Sequence, residues 1–324
     1  MNWLTKIKVF GDKIKRNLKK KFPSKEEIEN SKWQAKNCCN SGPILKEDLQ
    51  KNYYQCTNCS TTFPLPPSER FSYMFGKNNY EILDTPVVND PSLLTWEDAS
   101  GKYKDKLAKT RKRTGLNSAI SVAYGKLTEN INAVIVASDW RYFGSSIGPD
   151  EGESILYACQ KSLETNSSLI IFAQGGGMRM QLPSAVSLMQ MPRTVLGLSE
   201  VKKKGIPVIV VADSVVAGGI SASYAATGDF LFFEGKKTKW MFAGPRVAAN
   251  ASNTEPPEDF LEGGWAMSHG YGDHMIEQRK DTKDFLIKFL NIILKKDQSS
   301  IIGEENIDNI NETTKLNKET REAS

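Results

Sequence analysis

Two sets of residues in this 324-residue chain have the types and spacing for chemistry. The first is Cys38, Cys39, Cys56 and Cys59, four of the five cysteines. Cys56-Thr57-Asn58-Cys59 is a C-x-x-C turn, which presents two thiolates to one tetrahedral ion, and zinc is the ion such ligands favour. Cys38 and Cys39 are adjacent, and adjacent side chains diverge. Three arrangements stay open: a rearranged four-cysteine site, a three-cysteine site completed by another ligand, or a site that holds no metal. The second set is Gly175, Gly176 and Gly177, which follow the apolar run Leu169-Ile170-Ile171-Phe172, with Gly218 and Gly219, which follow Val208-Ile209-Val210-Val211-Ala212. Glycine lets a ligand come close to the backbone. A strand leading through glycines into a helix also offers bare N–H donors at the positive end of the helix dipole. Such a turn suits a phosphate, a carboxylate or a developing enolate oxygen; a tight turn without a ligand is the plain alternative.

The rest of the inventory works by subtraction. Only two histidines occur, His269 and His274. There is no G-x-S-x-G elbow, no H-E-x-x-H pair, no phosphate-loop lysine motif and no G-x-G-x-x-G after a strand. A reaction carried by backbone donors needs none of these.

The glycines are positioned by a repeated strand–turn–helix unit. One copy has a strand over residues 133–140, a turn with Gly144 and Gly148, and a helix over 150–163. The second is the stretch 169–190, helical after its glycines. The third starts at Ile206 and passes through Gly218 and Gly219 into a helical segment from Ile220. From Val134 to Leu169 is 35 positions and from Leu169 to Pro207 is 38. A unit of that period stacks into an α/β superhelix, each turn burying the face of the next.

Around this core, residues 1–22 are basic and amphipathic, with Trp3, Leu4, Ile7, Phe10, Ile14 and Leu18 at helical spacing. A membrane-surface helix, a docking helix and a solvated terminus all fit. Residues 23–32 read as a linker. Phe71, Met74 and Phe75 mark a helix, and 102–113 a strongly basic one, either a solvated face or a means of steering phosphates. A strand is expected over 239–243. Pro245 then opens a helix and places Arg246 for a ligand phosphate, a carboxylate or a structural ion pair. An apolar helix spans 285–294, and from 295 the chain is polar and expected to be disordered. Hydrophobic residues make up 39% of the chain, enough for a core, and the net charge of +5 is modest. No run of 18 apolar residues occurs, so no membrane span is expected. The N-terminus lacks a secretory h-region, and the cysteine pattern argues for a reducing compartment, hence the cytoplasm.

Three motifs carry a resemblance. They are Gly175-Gly176-Gly177-Met178-Arg179-Met180-Gln181 followed by Ser187-Leu188-Met189-Gln190-Met191; Ala217-Gly218-Gly219-Ile220-Ser221-Ala222-Ser223-Tyr224-Ala225 with Gly228-Asp229; and Phe242-Ala243-Gly244-Pro245-Arg246-Val247. In this order they resemble the carboxyltransferase β subunit of bacterial-type, multi-subunit acetyl-CoA carboxylase, over residues 33–279. Gly175 stands for that family's serine, Met178 for its alanine, Leu182-Pro183-Ser184 for its Glu-Gly, and Cys38-Cys39 for its upstream C-x-x-C.

The resemblance implies a crotonase-like superhelix of repeated ββα units at 64–294, a zinc-ribbon-like module at 33–63, a basic segment and linker at 1–32 and a tail at 295–324. It implies a transferase that moves the carboxyl group of carboxybiotin to acetyl-CoA, giving malonyl-CoA for fatty acid synthesis. Backbone N–H groups of Gly176, Gly177, Gly218 and Gly219 would hold the enolate oxygen. Arg179 and Arg246 would bind substrate, and Cys38, Cys39, Cys56 and Cys59 would hold zinc. Biotin would arrive on biotin carboxyl carrier protein, loaded by biotin carboxylase, and a homologous α subunit would complete the site. One rival is a diverged subunit that only assembles or regulates, which the altered turns would fit. Another is nucleic-acid binding through the basic N-terminus and ribbon, whose mark would be a steep salt dependence.

Overall fold

The computed structural model describes residues 33–34, 38–39, 44–88, 90–99, 101–244, 250 and 259–294. The basic segment 1–32, the pair Pro245-Arg246 and the tail 295–324 lie outside the described residues. In the N-terminal module, β1 (Trp33–Gln34) pairs antiparallel with β2 (Ile44–Leu45). The rest is built on one sheet that starts at β3 (Tyr80–Leu83); β4 (Glu97–Asp98) and β5 (Gly101–Lys102) form a small separate hairpin. The sheet continues through β6 (Ile120–Thr128), β7 (Ile131–Ser138), β8 (Ser168–Gly175), β9 (Val208–Ala217), β10 (Phe230–Met241) and β11 (His274–Ile276). Its order is β11-β10-β9-β8-β7-β6-β3. Every pairing from β7 to β11 is parallel, and β3, β6 and β7 pair antiparallel.

Strands covered on both faces must be apolar throughout, and every position of β8 is buried. Alternate residues go to opposite layers. Val134, Val136, Leu169, Ile171, Val208 and Val210 meet Ile155 and Ala158 of the helix Pro149–Thr165 and Leu198 and Val201 of the helix Gln190–Lys203. On the other face Ile135, Ile170, Phe172 and Val211 meet Phe71, Met74 and Phe75 of the helix Pro67–Phe75, and Leu286 and Leu290 of the helix Thr282–Leu294. The basic helix runs Tyr103–Thr114; it buries Tyr103, Leu107 and Thr110 and exposes Lys104, Lys109, Lys112 and Arg113.

Three sequence expectations are corrected. The segment after Gly177 is not yet helical: the first helix, Ser184–Leu188, begins only after Pro183. Met178 forms a parallel bridge with Ile147, and Arg179 N–H donates to the Ile147 carbonyl, which holds this piece extended. The segment from Ile220 makes turns and a 3-10 turn at Tyr224–Ala226. Ser221 Oγ donates to the Gly218 carbonyl and Ser223 Oγ to the Gly219 carbonyl, the local competition by which serine disfavours a regular helix. Finally, the strand expected at 239–243 is the end of the much longer β10, interrupted by a bulge between Glu234 and Lys239.

Candidate active site

Parallel strands β7 to β10 all end at one edge of the sheet, and their turns are joined in series. Gly176 N–H donates to the Gly144 carbonyl (3.0 Å), Ile147 N–H to the Gly177 carbonyl (2.9 Å) and Gly218 N–H to the Met241 carbonyl (2.9 Å). The glycine turns touch. A Cβ on Gly177 would lie 3.4 Å from the Gly219 nitrogen and 3.3 Å from the Ala217 oxygen, and Gly177 has φ +110°. Gly175 is closer still, with 2.4 Å from a Cβ to the Ser145 oxygen. This corrects half of the donor set expected from sequence: the N–H groups of Gly176 and Gly218 are committed to the fold. Those of Gly177 and Gly219 have no acceptor among the described residues. Two unpaired donors on abutting turns, at the carboxyl ends of parallel strands, form the kind of site where open α/β sheets bind ligands. They need no helix terminus behind them.

Arg179 does not face a ligand. Its side chain is fully buried and pairs with Glu151 at 2.7 Å, and it donates to the Ser146 carbonyl (2.7 Å) and the Tyr103 hydroxyl (3.1 Å). The guanidinium also lies 4.8 Å from the centroid of the Phe143 ring. Glu151 in turn accepts from the N–H groups of Gly148 (2.9 Å) and Ala119 (2.8 Å). The pair ties the turn after β8 to the turn after β7. The resemblance offered Arg179 to the substrate; its burial and its pairing with Glu151 make it a brace between the two turns. Arg246 lies outside the described residues.

The altered turn residues are accommodated in packing. Met178 covers Gly219, its Cγ 2.7 Å from where a Cβ would stand. Leu182 is buried in a cluster with Tyr103 and Tyr142.

At the other end of the chain, the four cysteine sulfurs lie within 4.8 Å of one another. Cys39 Sγ is 4.0 Å from Cys56 Sγ, and Cys38 Sγ is 3.4 Å from Cys59 Sγ. Four thiolates bound tetrahedrally at about 2.3 Å stand roughly 3.8 Å apart, so the donor set and its spacing fit one ion. The expectation that adjacent side chains diverge does not hold, because the backbone bends at Cys38 and Cys39 and turns both sulfurs inward. None of the five cysteines forms a disulfide. Burial raises the Cys59 thiol, but hydrogen bonds from Thr61 and from the Cys38 and Cys56 thiols outweigh it and hold it at about 6.

The module is fastened to the sheet by residues that sequence reading did not single out. Arg279 Nη1 donates to the carbonyls of Tyr53 (3.0 Å) and Phe63 (2.8 Å), and Gln55 Nε2 donates to the Glu277 carbonyl (3.0 Å). Arg279 also pairs with Glu234 at 2.6 Å and with Asp213. Arg70 pairs with the same two carboxylates at 2.7 and 2.9 Å. All four side chains are buried, two positive and two negative. Burial would raise the Glu234 carboxyl; Arg70 and Arg279 outweigh it and hold it at about 2. Residues 53 and 279 are too far apart in sequence for any local pattern to show their pairing.

A carboxyl transferase domain model matches residues 87–319. The acetyl-coenzyme A carboxylase carboxyl transferase subunit β of Pelagibacter ubique is 42% identical over 94% of this chain and 96% of that relative. The chain belongs to the acetyl-coenzyme A carboxylase carboxyl transferase β-subunit family. The Hirschia baltica member is 36% identical over 91% of this chain and 80% of its own length. Among solved structures, a Pseudomonas malonate decarboxylase hetero-dimer aligns with a TM-score of 0.54 at 16% identity, over 74% of this chain and 89% of that chain. Transcarboxylase 12S aligns with a TM-score of 0.57 at 20% identity, over 70% of this chain and 41% of that chain. These two bear out the crotonase-like carboxyltransferase fold. In this β-subunit family member the joined glycine turns lie inside the matched domain, and the cysteine cluster precedes it.

Proposed function

We propose that this chain transfers the carboxyl group of carboxybiotin to the methyl carbon of acetyl-CoA, as the β subunit of acetyl-CoA carboxylase carboxyltransferase. The observation that carries the chemistry is the unpaired N–H pair of Gly177 and Gly219 on abutting turns. Removing the methyl proton puts negative charge on the thioester oxygen, and preorganised backbone donors are worth most where charge develops. Carboxybiotin on its carrier would supply the carboxyl group and, once that is lost, a nitrogen for the methyl proton, while the Gly177 and Gly219 N–H groups would hold the enolate oxygen until its carbon is carboxylated. No side-chain base is needed, in keeping with the scarcity of histidines. Arg179 and Glu151 keep the two turns in register, so Arg179 is a positioning residue.

The departures at Met178 and Leu182 fill packing space, and the N–H groups of Gly177 and Gly219 keep no acceptor among the described residues, which favours the catalytic reading over a purely assembling subunit. Exposed Met180, Leu188, Met189 and Phe242 lie on the segments that carry the turns, an apolar surface suited to the α subunit that would bring biotin on its carrier protein from biotin carboxylase. Cys38, Cys39, Cys56 and Cys59 would hold zinc as a structural ion, keeping the 33–63 module folded against the 64–294 domain. No helix among the described residues is long and apolar enough to cross a membrane, and reduced cysteines suit the cytoplasm. The test is malonyl-CoA formation with α subunit and carboxybiotin donor supplied. Turnover is the expected result; a well-formed complex that makes no malonyl-CoA would favour the non-catalytic reading.

A further inference from the structure

The open N–H of Gly177 belongs to a peptide whose two neighbours are both held by one short segment. On one side Gly176 N–H donates to the Gly144 carbonyl, and on the other Ile147 N–H donates to the Gly177 carbonyl. Residues 144–147 therefore clamp the donor peptide from both ends, and its own N–H is left without an acceptor among the described residues.

The segment that makes this clamp has a rare shape. Phe143, Gly144 and Ser145 stand at φ +51°, +63° and +52° in succession, one turn of left-handed helix. Ser145 N–H closes it onto the Tyr142 carbonyl (3.0 Å) and Ser146 N–H onto the Phe143 carbonyl (3.2 Å); Ser146 Oγ donates to the same Phe143 carbonyl (2.8 Å). Residues with a Cβ visit this region singly and not in runs, and of the three only Gly144 escapes the clash. Ser145 is unfavourable in a second way, because it is fully buried and its hydroxyl has no partner. Such a turn persists only where its surroundings hold it, and strain of this kind gathers at functional sites. Here the Phe143 ring is held edge-on by Tyr142 (5.5 Å between centroids) and lies 4.8 Å under the Arg179 guanidinium.

Gly175 is the counterpart of this turn. It has φ +151°, and a Cβ there would collide with the Ser145 carbonyl oxygen and with Ile220 Cδ1. The absence of a side chain at 175, where the resembling family carries serine, is what lets the left-handed turn come close enough for Gly144 to take the Gly176 N–H.

We infer that the left-handed turn 143–145 is a positioning element for the transfer reaction, aiming the Gly177 N–H at the thioester oxygen, with Ser145 and Gly175 as its positioning residues. The inference rests on the acetyl-CoA reading above. A glycine at 145 would relieve the strain, but beside Gly144 it would put two freely turning residues in the clamp. The serine lowers stability and fixes the donor, the usual opposition between stability and activity at a site.

The experiment uses the full chain with its α subunit. Ser145→Gly should melt no lower than the parent, keep KM for acetyl-CoA, and lose about tenfold in kcat, part of the loss expected when a donor is removed outright. Ser145→Ala keeps the Cβ and should recover most of that fall. Gly175→Ala pushes the turn away and should cost about 100-fold in kcat; adding Ser145→Gly lets the turn yield, so the double variant should return to the level of Ser145→Gly alone. Amide hydrogen exchange reads the clamp without turnover: Gly176 N–H should be protected in the parent and exchange about tenfold faster in Ser145→Gly. A parental kcat in Ser145→Gly, a loss carried by KM, a Ser145→Ala loss as large as that of glycine, or unchanged exchange at Gly176 would overturn the inference. If Gly175→Ala does not assemble, the Ser145 variants and the exchange rates decide alone. If the parent makes no malonyl-CoA, the catalytic reading fails, and exchange at Gly176 still decides whether the turn sets the donor.

Discussion

Among the described residues, the cysteine module buries only Leu49, Cys56 and Phe63 in a core of its own, while the sheet domain packs two continuous apolar layers on either side of β6 to β10. A core of three side chains cannot offset the entropy of ordering such a module. Its shape comes from four converging sulfurs, from Arg279, which reaches in from the sheet domain, and from Gln55, which reaches out to the Glu277 carbonyl. The sheet stands on buried area and needs neither. The difference explains how the two regions carry function. The module presents side chains, whose identities announce themselves. The sheet edge presents backbone, and what matters there is which N–H groups the fold leaves unspent.

The largest effect that tests this contrast is metal loss. Protein purified without chelator should carry about one zinc, and Cys56→Ser should release it. Limited proteolysis of that variant should cut within the 33–63 module while the sheet domain resists, because for such a module metal binding is folding energy. Metal-free parent protein with an intact, protease-resistant module would break the comparison.

Next comes the fastening. Arg279→Met leaves Asp213 and Glu234 buried with only Arg70 to balance them. Removing one partner of a buried ion pair costs about 3–5 kcal/mol, and here the module's backbone anchors go with it. Denaturant unfolding should show that loss together with faster proteolysis of the module. A stability within error of the parent would mean the cluster is not what joins the two regions.

A smaller effect belongs to the sheet domain alone. Burial first, and the Glu151 charge next, push the Asp150 carboxyl from its ordinary 3.8 up to about 6. The folded chain then binds this proton more tightly than the unfolded chain. The stability it contributes is complete below 3.8 and is lost as pH rises through about 6. Asp150→Asn keeps an acceptor for the Val88 N–H and should flatten the fall in stability between pH 4 and 7 by about 1–2 kcal/mol. Thermal melts across that range check it; an unchanged slope would count against the assignment. Smallest of all, Lys203→Ala removes an exposed pair with Glu200, and urea unfolding should register less than about 0.5 kcal/mol.

The sheet was legible because parallel strands buried on both faces must be continuous apolar runs, as Leu169 to Phe172 and Val208 to Ala212 are. The cysteine cluster was legible from ligand type, although the bend that admits both Cys38 and Cys39 was not. The glycine turns could be located, but not which donors remained open: Gly144 and Met241 supply the carbonyls that occupy Gly176 and Gly218, and neither pairing has a sequence signature. The partner of Arg179 could not be read, because Glu151 is a helix residue from another repeat. The cluster of Arg70, Asp213, Glu234 and Arg279 was missed entirely, since a lone charged residue in an apolar run reads as an exception until its partners are seen.

The central claim is that the N–H groups of Gly177 and Gly219 receive the enolate oxygen, and Gly177→Val tests it most directly. The added side chain would crowd the Ala217 oxygen and the Gly219 nitrogen at 3.3 and 3.4 Å, where the thioester must lie. The measurement is kcat for malonyl-CoA formation with the α subunit, on variant whose circular dichroism and co-elution with that subunit match the parent. Blocking the approach to one such donor predicts a fall of about 100- to 1000-fold, roughly 3–4 kcal/mol. A folded, assembled Gly177→Val that turns over at the parental rate would contradict the assignment.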